Sequence, residues 1–158
     1  MIGSPDLPTG RFVSGVLSFG INYLKVIGVC IPWSGAHVRT GRKDRKLWQD
    51  HNLYLEQLSL ITKSSTLPLL VAGDFNQRLP RQRQPIHSYK LMTAAFQGMK
   101  IHTEDFTEPA IIDHIATTRN FSMIDRRIIF RNQDGVRLSD HDGVSVTLEG
   151  RFHQPTTQ

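Results

Sequence analysis

The chain has 158 residues, of which 39% are hydrophobic, so it forms one domain at most, with a substantial core, and is not a wholly disordered polypeptide. Its single cysteine, Cys30, excludes an internal disulfide and a cysteine-rich zinc site, and no apolar run is long enough to cross a membrane. The formal net charge of +5 favours a polyanionic partner.

The first predicted elements form a hairpin. A lead rich in proline and glycine, residues 1–10, predicts no regular structure and is expected to be flexible. Two β-type runs follow at 11–19 and 23–31, and the short connection that begins at Gly20 makes them antiparallel neighbours. Pro32 ends the second strand, and a polar loop leads on to a helix.

Two helices and three further strands are predicted along the rest of the chain. Residues 45–63 and 88–97 have apolar residues near helical spacing, and 111–117, 123–131 and 143–148 have the composition of strands. The apolar stripes are Leu47, Leu53, Tyr54, Leu58 and Ile61 in the first helix, and Leu91, Met92, Ala95 and Phe96 in the second. This order predicts an α/β domain over residues 11–149 with much antiparallel pairing, followed by a flexible tail at 150–158.

A short apolar run near the middle of the chain, 67–76, ends in Gly-Asp-Phe-Asn. It predicts a buried strand with polar side chains at its carboxyl end. Because side chains alternate along a strand, Asp74 and Asn76 are expected on one face and Phe75 on the other. The tetrapeptide by itself is equally compatible with an ordinary exit into a turn.

Two further polar motifs occur with β-type runs, Ile112-Asp113-His114 and Ser139-Asp140-His141. Each alone is a weak signal, since a polar turn before a strand has the same composition. In this order and at this spacing, the three motifs resemble those of the endonuclease/exonuclease/phosphatase superfamily. The resemblance covers residues 11 to 148.

The resemblance implies a fold and a set of catalytic roles. The fold is α/β, a four-layer β-sandwich flanked by helices with mixed, mostly antiparallel sheets, of which this chain forms a part. Phosphoester hydrolysis needs an activated water and relief of charge on the phosphate oxygens. By resemblance, Asp74 is the general base or water orienter, and Asn76 contacts the phosphoryl group or the water. A protonated His141 neutralises a non-bridging oxygen, and Asp113 holds its ring in place.

A divalent cation, Mg²⁺ or Mn²⁺, is the cofactor that the resemblance implies, and Asp140 matches the family's acidic residue near the metal. The family's metal-binding glutamate on an early strand has no counterpart, because the only acidic residue before the basic loop at 39–46 is Asp6. The chain therefore resembles the carboxyl-terminal portion of a protein about one-and-a-half times its length. Weak metal binding and low activity are expected.

Basic residues beside the central motif indicate the substrate class. Arg78, Arg81 and Arg83 begin two residues after Asn76 and are candidates for binding phosphate oxygens. The sequence therefore predicts a metal-dependent phosphodiesterase of nucleic acid, DNA in preference to RNA, that binds through phosphates and shape. The alternatives are hydrolysis of a small phosphoester or lipid headgroup, and a non-catalytic polyanion-binding module with the same fold. No membrane association is expected, and a cytoplasmic location is the default.

The remaining histidines have no partner motif. His114 is predicted to pack or to hydrogen-bond, and the others are predicted to be structural or on the surface: His37, His51, His87, His102 and His153. Related nucleases carry a phosphate-contacting tyrosine or histidine just before the proline that corresponds to Pro32. Here Val29 and Cys30 occupy the nearby positions, and His37 or Arg39 of the next loop are the candidates to replace that contact.

Overall fold

The structure is a computed structural model that describes residues 7–8, 10–40 and 44–152. Its elements follow the predicted order, with three short strands in addition, β4, β7 and β8, because two residues are too few to show a periodicity. The elements are β1 Phe12–Phe19, β2 Asn22–Cys30, α1 Gln49–Ser64, β3 Leu69–Asp74, α2 Ile86–Ala95, β4 Lys100–Ile101, β5 Asp113–Thr117, β6 Phe121–Ile129, β7 Asn132–Gln133, β8 Val136–Arg137 and β9 Gly143–Gly150.

Five strands form the main sheet, in the order β1-β2-β3-β5-β4. The predicted hairpin of β1 and β2 is present, with Phe12 opposite Val29 and Phe19 opposite Asn22. β3 runs parallel to β2, with α1 in the crossover between them, and antiparallel to β5. The other strand pairs are antiparallel. The prediction of an α/β fold with mixed, mostly antiparallel sheets is confirmed.

Both helices contribute to the core on one face of the main sheet. Alternate strand residues such as Ile27 and Val71 are fully buried in the same cluster as Leu55 and Leu58 of α1 and Met92 of α2. Burial of this apolar surface is the main stabilising contribution to the fold.

The predicted apolar stripe of the first helix is partly wrong. Tyr54 and Leu58 are buried as expected, whereas Leu47 and Leu53 are exposed. The helix begins only at Gln49, so Leu47 lies outside it. The buried face consists of His51, Tyr54, Leu55 and Leu58. Hydrophobic periodicity does not predict the burial of a polar residue such as His51.

A smaller sheet, made of β6 and β9, lies against part of the other face and contacts the main sheet through β5. Phe152, which follows β9, packs edge-on against Phe19 and Phe121 at ring-centroid distances of 4.9 and 5.6 Å. On the same face of β1, Val13 and Leu17 are 38% and 55% exposed. The two sheets therefore form a sandwich that covers the main sheet only in part.

The ends of the described chain belong to the folded unit. Leu7 is buried in the core, and the Arg151 backbone N–H donates to Asn120 O at 2.7 Å. Of the predicted lead and tail, residues 1–6, 9 and 153–158 lie outside the described residues. Neither described helix has the length and apolar character that spanning a bilayer requires.

Candidate active site

Adjacent strand ends place the predicted site residues in one row across the main sheet. Asp74, the last residue of β3, lies opposite Cys30 of β2 on one side and Asp113 of β5 on the other. The Cys30 backbone N–H donates to Arg11 O at 2.9 Å, which extends the row to the residue before β1. Because paired residues in a sheet project to the same face, the side chains of Arg11, Asp74 and Asp113 share one side.

Gly73 lets β3 approach β2 at the point where Asp74 is presented. Its φ is 137°, and a Cβ at this position would collide with the Val29 carbonyl oxygen. Only glycine combines that backbone conformation with the absence of a side chain. The Gly-Asp pair thus marks a close contact between strands rather than an ordinary exit into a turn.

Asn76 reaches the site through a turn, so the prediction of an extended 74–76 segment is wrong. The strand ends at Asp74, and Asn76 has a φ of 52°, in the left-handed region that asparagine tolerates. Its backbone N–H donates to Asp74 Oδ1 at 2.8 Å, and its side-chain amide donates to Asp74 Oδ2 at 2.7 Å and to Ile31 O at 2.8 Å. Phe75 is fully buried, as expected. The turn therefore fixes the Asp74 carboxylate through both of its oxygens.

His141 lies among three carboxylates. Its Nδ1 is 3.4 Å from Asp113 Oδ2, and its Nε2 is 4.0 Å from Asp74 Oδ2 and 3.5 Å from Asp140 Oδ1. The side chains of Asp74, Asp113 and His141 are 22%, 24% and 29% exposed, so they remain accessible to a small ligand. The fold thus brings together the residues predicted from three separate motifs: Asp74, Asn76, Asp113, Asp140 and His141.

Burial raises the pKa values of both strand-end carboxyl groups. For Asp74 desolvation is the largest cause, and the negative charge of Asp113 adds to it, while the hydrogen bonds from Asn76 oppose the rise. Desolvation also raises the pKa of Asp113, opposed by His141 and reinforced by Asp140. A carboxylate with a raised pKa accepts a proton more readily once it is ionised.

A cavity of about 360 Å³ opens beside these groups, between the two sheets. Asp113 and His141 line it, and Ile129, Phe130 and Val144 supply apolar walls. This volume is at the lower end of what small-ligand sites have, and it suffices for a phosphoryl group with part of its substituents.

Comparison with solved structures places this architecture. The chain aligns with a humanized D. rerio TDP2 at a TM-score of 0.59 and 16% identity, over 87% of this chain and 57% of that one. An endonuclease/exonuclease/phosphatase family protein from Leptotrichia buccalis C-1013-b aligns at a TM-score of 0.57 and 15% identity, over 87% and 52%. The chain has the endonuclease/exonuclease/phosphatase fold. The fold that the resemblance of the three motifs implied is thereby confirmed.

Matches in sequence are shorter than those in structure. Carbon catabolite repressor protein 4 homolog 2 of Arabidopsis thaliana is 44% identical over 48 residues, which are 30% of this chain and 8% of that protein. No protein-family model matches the chain. The chain spans about half the length of the two solved structures, at 57% and 52%, in line with the expected resemblance to a portion of a longer protein.

The predicted phosphate-binding arginines lie in the loop after β3, at the site end of the endonuclease/exonuclease/phosphatase fold. Arg78, Arg81 and Arg83 are all exposed. Arg81 Nη1 donates to Gln84 O at 2.8 Å, and Gln84 Nε2 donates to Arg78 O at 2.5 Å, so the loop is folded upon itself. Their role in substrate binding stays a prediction.

The described side chains do not fit a resident divalent ion. Mg²⁺ takes oxygen ligands in a near-octahedral arrangement. Within residues 7–8, 10–40 and 44–152, no three His, Cys, Asp or Glu side chains are grouped so that they could hold a metal. Both Asp74 oxygens already accept hydrogen bonds from Asn76, and the Asp140 side chain is 82% exposed. The role of Asp140 as a metal ligand stays a prediction.

A buried hydrogen-bonded network beneath the site has no signal in the sequence. His51 Nδ1 donates to Pro32 O at 2.7 Å, so its Nε2 accepts from Gln77 Nε2 at 2.7 Å. His114 Nε2 donates to Gln77 O at 2.9 Å, and its Nδ1 accepts from Thr103 Oγ1 at 2.8 Å. Burial lowers the pKa of His51 and of His114 to about 4, which keeps both rings neutral, as these roles require. The hydrogen-bonding role predicted for His114 is confirmed.

His37 is largely exposed and has a charged partner that no sequence motif indicated. Its Nδ1 lies 2.5 Å from Asp50 Oδ2, across 13 residues of sequence, a distance over which no local pattern connects them. Of the other histidines, His51 and His102 are buried and His87 is exposed, as predicted, whereas His153 lies outside the described residues. The Arg39 guanidinium lies 5.9 Å from the centroid of the Trp33 ring.

Proposed function

We propose that the chain is a phosphodiesterase of nucleic acid. The observation that carries the proposal is the position of His141 between Asp74 and Asp113, at 4.0 and 3.4 Å, although the three residues come from separate motifs. The endonuclease/exonuclease/phosphatase fold supports the reaction class. The net charge of +5 and the exposed arginines that follow Asn76 support a polyanionic substrate, with DNA as the first candidate and RNA as the second.

In the proposed reaction, His141 binds a non-bridging phosphate oxygen. When the imidazole is protonated, its Nδ1 lies 3.4 Å from Asp113 Oδ2 in an ion pair, and its Nε2–H is available to the substrate. A carboxylate that holds one ring nitrogen fixes the direction in which the other donates. The positive charge then offsets the negative charge on the phosphoryl oxygens as the reaction proceeds.

Asp74 is the proposed base. Two N–H groups of Asn76 hold the plane of its carboxylate, and its raised pKa makes the ionised form a better proton acceptor. The oxygen of an attacking water bonds to phosphorus, its proton passes to Asp74, and the bond to the leaving oxygen breaks, with a solvent proton neutralising that oxygen. The Asn76 side-chain amide already donates to Asp74 and to Ile31 O, so a hydrogen bond from it to the phosphoryl group requires one of these contacts to open.

Dependence on Mg²⁺ or Mn²⁺, with Asp140 as a ligand, is part of the proposal. We expect weak metal binding, because the described residues hold no converged set of ligands. A cytoplasmic location is likewise proposed, since the single cysteine, Cys30, is compatible with a reducing compartment.

The test is hydrolysis of plasmid DNA, of RNA and of bis(4-nitrophenyl) phosphate, with Mg²⁺ or Mn²⁺ against a chelator. His141→Ala is expected to lower kcat by at least about a hundredfold, because general acid–base and charge-stabilising groups contribute that much. His87→Ala, at an exposed histidine of α2, is the matched control and is expected to retain activity. Cleavage that persists in a folded His141→Ala variant would contradict the assignment.

A non-catalytic polyanion-binding module is the second candidate function. The observation that favours it is the lack of a converged set of metal ligands in the described part of the chain. If the folded chain binds DNA in a salt-dependent manner but cleaves none of the substrates with either cation, this second function replaces the first.

A further inference from the structure

A second cavity lies on the far side of Cys30 from the carboxylates, between the loop that follows β2 and the start of α1. Its volume is about 450 Å³. Its lining includes two arginines, Arg11 and Arg45, one carboxylate, Asp50, and the imidazole of His37, so cationic groups outnumber the carboxylate. Apolar surface comes from Leu7, Pro32, Leu53 and Tyr54. A site of this composition suits an anion that carries an apolar or planar group.

His37 is held in one orientation at the edge of this cavity. Asp50 engages its Nδ1 at 2.5 Å, and the Asp50 side chain is only 13% exposed whereas that of His37 is 49% exposed. Nε2 is therefore the ring nitrogen available to a ligand, as in sites where a carboxylate positions a functional histidine. The φ of 58° at His37 is unusual for a residue other than glycine and is maintained by its surroundings.

Two arginines are fixed around the same cavity. Arg45 Nε lies 3.4 Å from Asp50 Oδ1. Arg11 Nη1 lies 3.3 Å from both the carbonyl oxygen and Sγ of Cys30, while Tyr54 Oη donates to Arg11 O at 2.7 Å. These contacts hold the positive charges in place before a ligand arrives, which reduces the entropy lost on binding.

Arg11 connects this cavity to the candidate active site. It lies opposite Cys30, which lies opposite Asp74, so two strand spacings separate Arg11 from Asp74. That separation is roughly 10 Å between Cα atoms. A polymeric phosphodiester can therefore place one phosphate beside Asp74 and His141 and contact the second cavity with a neighbouring nucleotide, whereas a small diester cannot.

We infer that this cavity binds a nucleotide adjacent to the scissile phosphate of a DNA strand. His37, Arg45 and Arg11 contact the phosphate of that nucleotide, and the apolar wall at Pro32 and Leu53 accepts its base or sugar. The inference rests on the proposed function and deepens it by naming the residues that bind the nucleic acid outside the reacting centre.

The first test is binding of a fluorescent single-stranded oligothymidylate in the presence of a chelator, measured at several salt concentrations. His37→Asn removes the imidazole but retains a residue that tolerates the left-handed backbone. It is expected to weaken binding about tenfold, because one hydrogen bond to the phosphate is lost. His87→Asn, at an exposed histidine elsewhere, is the matched control and is expected to bind as the parent chain does. Thermal unfolding of each variant verifies that it is folded.

Arg45→Gln provides a second variant that leaves the His37 backbone unchanged, with Arg127→Gln on β6 as its exposed control. In hydrolysis assays, His37→Asn and Arg45→Gln are expected to raise KM for the oligonucleotide with little change in kcat. The kinetic constants for bis(4-nitrophenyl) phosphate are expected to stay the same.

The outcomes separate this inference from the proposed function. Oligonucleotide binding that is unchanged in His37→Asn and Arg45→Gln, or that weakens equally in the control variants, overturns the inferred site even if the chain hydrolyses DNA. Weaker binding in these two variants alone, in a chain that hydrolyses none of the substrates, supports the nucleotide site and rejects the catalytic proposal.

Discussion

The backbone at Gly73 leaves no room for a side chain next to the site. Gly73→Ala is expected to lower the free energy of unfolding by about 2 kcal/mol or more, because the new Cβ meets Val29 O and the backbone conformation is unfavourable for alanine. Gly15→Ala in β1 is the control, since an added Cβ there has no neighbour within 4 Å. We expect it to be neutral or slightly stabilising. Denaturant unfolding of both variants makes the comparison, and equal stabilities would contradict the role given to Gly73.

The residues of the candidate site could be predicted from the sequence, but their hydrogen bonds could not. Asp74, Asp113 and His141 each belong to a short local motif, and such motifs can be recognised in a single sequence. The turn at Asn76 depends on a left-handed residue, and the pairing of His37 with Asp50 joins a loop to a helix. Both contacts are determined by tertiary packing, which local sequence patterns do not encode.

Gln77 joins elements of the fold that local sequence patterns leave separate. Its side chain donates to His51 Nε2 of α1 at 2.7 Å and to Ser88 O of α2 at 2.9 Å. Gln77→Leu leaves His51 Nε2 unsatisfied in the core and removes the contact with Ser88 O, so it is expected to lower the free energy of unfolding by about 2 kcal/mol. Gln97→Leu, at an exposed position after α2, is expected to change it little.

A double-variant cycle distinguishes loss of this hydrogen bond from a simple change of packing. His51→Leu combined with Gln77→Leu is expected to destabilise by less than the sum of the two single changes, because neither group is then left unpaired by the other. Strictly additive effects in chemical denaturation would show that the two side chains do not interact.

At the level of elements, length decides what the sequence predicts. The long strands and both helices repeat their apolar pattern often enough to be recognised, whereas β4, β7 and β8 have two residues each. The stripe of α1 was misplaced because His51, a polar residue, occupies the buried face and Leu53 does not. His51 can be buried because Pro32 O and Gln77 Nε2 satisfy its two ring nitrogens, and neither partner can be identified from the sequence.

At the scale of the whole molecule, the sandwich covers the main sheet unevenly. Its second sheet contacts β5, while Val13 and Leu17 of β1 remain exposed on the same face. The solved structures with the same fold are longer than this chain, which spans 57% and 52% of them. Apolar surface next to strand edges favours self-association. How that face is covered could not be predicted, because covering it requires polypeptide or partners that the described residues do not contain.

Acid sensitivity is a property of the whole molecule that its buried histidines determine. Burial lowers the pKa of His51 and of His114 from 6.5 to about 4. Because the folded pKa lies below the unfolded one, the unfolded chain takes up protons first as the pH falls. Stability is therefore complete above about pH 6.5 and decreases progressively down to about pH 4. Each pKa unit corresponds to about 1.4 kcal/mol for each histidine.

Denaturant unfolding at a series of pH values from neutral to about 4 tests this dependence. His51→Gln, which retains hydrogen-bonding groups but does not titrate, is expected to lower stability at neutral pH yet to flatten its decline with acid. His87→Gln, at an exposed position, is expected to leave the slope unchanged. The raised pKa values of Asp74 and Asp113 act with the opposite sign, since their protonation favours the folded chain. The hydrogen bond from Arg126 lowers the pKa of Asp105, so its stabilising contribution is lost only below the ordinary carboxyl range, at more acidic pH. A decline that begins near pH 6.5 and is equal in the parent and His51→Gln would therefore exclude His51 as its cause.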